Sequence, residues 1–127
     1  MTRDERLAIF KRDLEALMRE EGAFTICNLA HDEDAYVQFS HQDASDPLLC
    51  EVSTRGEGWN THSMDSEQVR ALRAFGYEIP SPHHQSNPHK LYSGDADALA
   101  EEIEKIFLTI FIANENYDIV SSGVENL

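Results

Sequence analysis

Three short runs with a two-residue period follow one another closely: Ala23 to Leu29, Ala35 to Ser40 and Leu48 to Ser53. No other feature restricts the fold as much. In the second run Val37 and Phe39 fall on one face and Tyr36, Gln38 and Ser40 on the other. In the third, Leu48, Cys50 and Val52 alternate with Leu49, Glu51 and Ser53, the signature of strands buried on one side. The links, residues 31–34 and 41–47, are polar and turn-prone. They are too short for a crossover helix, so the strands are expected to form an antiparallel meander with one apolar face and one mixed face.

An apolar sheet face has to be covered, and the flanking segments supply helices. Leu7, Phe10, Leu14, Leu17 and Met18 recur at helical spacing, with a capping box at Thr2-x-x-Glu5 and Gly22 as the stop, which predicts a helix from about Asp4 to Glu21. Asp65 or Ser63 caps a second helix carrying Val69, Leu72 and Phe75 and ended by Gly76. Residues 79–88 hold three prolines and read as a loop. His89 to Ser93 adds a short strand, and Asp95 to Asn114 is a final helix with an acidic first turn. The expected class is α+β, in the order α-β-β-β-α-β-α, with a sheet of three to five strands and helices packed on one face.

The final helix turns from a one-sided stripe into a stretch that is apolar nearly all round, with Leu108 and Ile112 behind the Ile106, Phe107, Ile110 and Phe111 face. One sheet buries only one stripe of a helix, and two coverings are open. Either Ile106, Phe107, Ile110 and Phe111 form a homodimer interface, or the tail folds back through Tyr117, Ile119 and Val120. Residues 1–114 are expected to form one domain, and 115–127 a tail that is partly disordered or a vector-derived remnant.

The length of 127 residues suits a single domain. Ten Lys and Arg stand against 24 Asp and Glu, a formal charge of −14, which repels phosphate backbones and anionic lipid heads. Neither nucleic acid nor a membrane is an expected partner. The longest apolar run, Ile106 to Ala113, is far below the ~20 residues of a membrane-spanning helix. The charged start has no signal-peptide pattern, so a cytoplasmic location is expected. Cys27 and Cys50 lie in strands and are either free core thiols or one bridge between adjacent strands.

Chemistry-bearing patterns are sparse. His83, His84 and His89 are the candidate metal ligands, but HHx4H in a proline-broken loop lacks the fixed scaffold that metal ligands need. No metal site and no cofactor is expected. Nucleophile elbows, phosphate cradles and calcium-loop spacings are missing from the sequence, so no catalytic residue is assigned. Glu51 reads either as a functional carboxylate or as a polar residue on an open sheet face, and Trp59 either as a partner anchor or as a cap on the core.

Tyr36-Val37-Gln38-Phe39, Leu48-Leu49-Cys50-Glu51-Val52-Ser53, Leu72-Arg73-Ala74-Phe75-Gly76-Tyr77 and Asn87-Pro88-His89-Lys90, in that order and spacing, resemble the TY-Chap domain. That bacterial group is similar to type III secretion chaperones and YbjN-type regulators. The resemblance covers roughly Leu7 to Phe111. It implies a secretion-chaperone-like α+β fold, small acidic subunits that are frequently homodimers, segments of other proteins as clients, and no catalytic residues. The expected function is therefore a non-catalytic chaperone-like or adaptor protein holding a polypeptide client. The alternatives are a small metal-binding protein or metal-dependent enzyme built on the histidine loop, and a signalling regulatory module.

Overall fold

The computed structural model describes residues 1–43, 46–54, 64–81 and 86–127. Elements follow in the order α1 (Arg3–Met18), β1 (Ala23–Leu29), β2 (Asp32–His41), β3 (Leu48–Val52), α2 (Ser66–Ala74), β4 (His89–Tyr92), α3 (Ala96–Thr109), β5 (Ile119–Ser121) and β6 (Glu125–Asn126). The strands form one six-stranded sheet in the order β4-β3-β2-β1-β5, with β6 also on β1. Every pairing is antiparallel. The α+β class and the α-β-β-β-α-β-α order hold. The sheet exceeds the expected three to five strands because the tail returns to it twice.

Local signals account for the ends of the elements. Thr2 and Glu5 form the capping box of α1, and Asp65 and Gln68 form that of α2, each pair satisfying amides that have no partner within the helix. Gly22 (φ +60) turns the chain from α1 into β1, and Gly76 (φ +92) ends the α2 turn; both conformations strain residues that carry a Cβ.

One face of the sheet is the core face. Ala23, Cys27 and Leu29 of β1, Val37 and Phe39 of β2, and Leu48, Cys50 and Val52 of β3 are buried against Phe10, Leu14 and Leu17 of α1 and Leu99, Ile103 and Ile106 of α3. Phe10 stacks on Phe107 with ring centroids 5.9 Å apart. β2 lies between the two cysteine-bearing strands, so two strand spacings, about 10 Å, separate Cys27 from Cys50. A disulfide reaches only ~7 Å between Cα atoms. Both thiols are free, and burial pushes Cys27 up and Cys50 up to about 12, which keeps both unreactive at neutral pH.

The four side chains expected at a homodimer contact, Ile106, Phe107, Ile110 and Phe111, are no more than 2% exposed within the single chain. Part of that cover comes from the tail: Tyr117 stacks on Phe107 at 5.2 Å, and Ile119 is buried in the same core. Leu108 is partly covered, and Ile112 remains 69% exposed.

A buried ion pair fixes the tail. Arg6 donates through Nε and Nη2 to the Glu104 carboxylate at 2.9 and 2.7 Å, and through Nη1 and Nη2 to the carbonyls of Met1, Tyr117 and Glu115. The Tyr117 hydroxyl donates to Glu104 at 2.5 Å, and the guanidinium lies 3.7 Å from the Tyr117 ring centroid. Arg6 and Asp13, the latter bonded to Ser121 of β5, belong to the buried stripe of α1 and not to its solvent face.

Lys90 makes a second node. Its ammonium donates to the Phe75 carbonyl and to Glu102, each at 2.7 Å, and lies 4.8 Å from the Tyr77 ring centroid. The two sequence phrases around Phe75-Gly76-Tyr77 and Asn87 to Lys90 thus meet at one cation, which ties α2 and α3 to the edge of the sheet.

Candidate functional site

The three helices of the described residues all serve the core face, so among those residues the opposite face of the sheet has no helix of its own. Register sorts its side chains into rows: Phe24, Ser40, Leu49 and Leu91 in one, and Ile26, Gln38, Glu51 and His89 in the next. Asn28, beside Tyr36 on one side and Val120 on the other, extends the face toward β5. Leu91 is 69% and Val120 51% exposed. Apolar and polar side chains thus share this face.

At the Leu49–Leu91 end the face dips into a groove of ≈ 350 Å³ lined by Ser40, Gln42, Asp46, Pro47, Leu49 and Leu91. The segment before β3 forms its wall. His41 holds that segment to the end of α1, with Nδ1 2.9 Å from the Glu20 carbonyl and Nε2 2.9 Å from that of Asp46. A hollow of ≈ 400 Å³ between the start of α1 and α3 includes Arg6 and Glu104, whose charges already satisfy each other.

The edge of the sheet beside the groove is only partly closed. His89 exchanges both main-chain bonds with Glu78 on the side away from β3. By antiparallel alternation Leu91 presents its N–H and C=O to that same side. Among the described residues nothing pairs with them, so an extended chain has main-chain groups available there.

Glu51 lies in the middle of the face, half-buried, with no hydrogen bond or ion pair among the described residues. Burial pushes its carboxyl above the usual range, and His89 only partly opposes this. The imidazole is engaged elsewhere, with Nε2 3.3 Å from Glu78 and Nδ1 3.0 Å from the Asn87 carbonyl.

Of the histidines singled out by sequence, His89 stands on this face, while His83 and His84 lie outside the described residues, as do Trp59 and Ser63. Among the described residues no group of three histidines, cysteines or acids is placed to hold a metal ion, and no helix is long and apolar enough to cross a membrane. Glu51 and Leu49 were legible as the second face of β3. Leu91 was missed, because a four-residue edge strand shows too little alternation to assign a face.

Two chemistries are open to such a surface: van der Waals burial of an extended apolar segment, and charge pairing at Glu51. A family model, "T3SS (YopN, CesT) and YbjN peptide-binding chaperone 3" (TY-Chap3), matches residues 5–114. No curated protein and no solved structure matches the chain.

Proposed function

The chain belongs to the TY-Chap3 family of peptide-binding chaperones, and we propose that it holds an extended segment of a partner protein on the open face of its sheet, without a catalytic step. The observation that carries this reading is the row of Phe24, Ser40, Leu49 and Leu91, apolar at three of its four positions, which ends in the groove. An unfolded segment lying on that face gains by burying alternate side chains against it. Acidity keeps the protein away from nucleic acid and anionic membranes, in line with a cytoplasmic role.

Ile106, Phe107, Ile110 and Phe111 are buried within the single chain, so a homodimer contact at the end of α3 would fall on Ile112, which is 69% exposed. The metal-dependent reading has only His89 among the described residues, and this side chain is occupied by Glu78.

Fluorescence anisotropy with a short labelled peptide of alternating apolar and polar residues tests the site. Leu91→Asp and Leu49→Asp are expected to weaken binding by about tenfold or more, the effect of losing an apolar anchor worth about 1.4 kcal/mol or more. Ile112→Asp, as exposed as Leu91 but at the end of α3, is expected to leave binding unchanged. Equal effects of the three substitutions contradict the site.

A further inference from the structure

We propose that Glu51 reads the sequence of the bound segment: the face selects extended polypeptides carrying an apolar side chain and a basic side chain two residues apart. The apolar group fills the groove of Pro47, Leu49 and Leu91, and the Lys or Arg reaches the Glu51 carboxylate. This rests on the open face being the polypeptide-binding surface and adds a sequence preference to it.

Three observations carry the inference. The first is that Glu51 has no hydrogen-bond or ion-pair partner among the described residues. Every other carboxylate on the described chain that is as enclosed is paired: Asp13 with Arg12 and Ser121, Glu102 with Lys90, and Glu104 with Arg6 and Tyr117. Its cross-strand neighbour His89 turns to Glu78 instead. A partly desolvated, unpaired carboxylate gains more from an incoming cation than one already bathed in water.

The second is spacing. Leu49 and Glu51 are two residues apart on the same face of β3, about 7 Å along the strand. An extended peptide lying along β3 repeats its own same-face side chains at that interval, so one side chain in the groove delivers the next to Glu51 without distortion.

The third is charge. With a formal charge of −14 and Asp46 on the rim of the groove, the surface draws in cationic segments and repels acidic ones. A second copy of this chain is itself acidic and is disfavoured as the occupant.

The test uses three short fluorescein-labelled peptides in a Ser/Thr background with a Leu-Ser-Lys, Leu-Ser-Glu or Leu-Ser-norleucine core. Each is titrated by anisotropy into the full chain, Glu51→Gln and Glu51→Lys. The wild type is expected to bind the Lys peptide about tenfold more tightly than the Glu peptide, Glu51→Gln to bring the two within about twofold, and Glu51→Lys to reverse the order. The reversal is a gain of binding, which a misfolded variant cannot give. Equal wild-type affinity for all three peptides, each binding weakened by Leu91→Asp, overturns the selectivity while leaving the binding face in place. A Lys preference that survives in Glu51→Lys likewise overturns the role of Glu51. Binding of none of the peptides overturns the binding face and the selectivity together.

Discussion

Arg6, Glu104 and Tyr117 join the first helix, the last helix and the tail at one point, and the energetics of that point are one-sided. Two charges taken out of water are tolerable only while each keeps its partner, and removing one leaves the other uncompensated. Arg6→Met is expected to cost about 3–5 kcal/mol in chemical denaturation, and Arg6→Met with Glu104→Leu less than the sum of the single losses. The pH dependence follows from the carboxyl. Burial alone would raise Glu104, but the bonds from Arg6 and Tyr117 outweigh it and hold the group below the usual glutamate range. Its contribution to stability is therefore complete above the ordinary glutamate pKa and is lost as pH falls toward the lowered folded value. Glu104→Gln is expected to flatten that acid limb of the stability profile; an unchanged acid limb contradicts the assignment. The pair was partly legible. Arg6 and Asp13 stand four before and three after Phe10, on the buried stripe, and Glu104 stands four after Ala100. Their charge argues for the solvent side, and a sequence does not reveal that two buried ions on different helices will meet.

At the scale of elements, β1, β2, β3, α2, β4 and α3 were legible because periodicity, caps and glycine stops agreed with one another. The tail was not. β5 has three residues and β6 two, too few to show a period, and their pairing with β1 is long-range. The apolar end of α3 left two coverings open, a partner or the tail, and local pattern does not choose between them. Truncation tests the choice made here. Ending the chain after Asn114 removes Tyr117 and Ile119 from the core, an expected loss of about 3–6 kcal/mol. Ending it after Gly123 removes β6 with the partly buried Val124 and is expected to cost about 1 kcal/mol, well below the first truncation. If both truncations leave thermal unfolding unaltered, the tail is no part of the packed structure.

For the molecule as a whole, the arrangement is asymmetric: among the described residues three helices cover one face of the sheet, and the other keeps Leu49, the exposed Leu91 and an unpaired carboxylate. That asymmetry was foreshadowed by the mixed second face of β2 and β3, although its extension through Leu91 depends on β4 pairing with β3, which no local signal fixes. The most direct measurement is a ¹H–¹⁵N NMR titration of the full chain with an extended apolar-basic peptide. Amide shifts are expected to concentrate at Leu49, Glu51, His89 and Leu91 and to spread toward Ile26 and Phe24, leaving the exposed sides of α1 and α3 unmoved. Shifts confined to the helices, or no shifts at saturating peptide, contradict binding at the open face of the sheet.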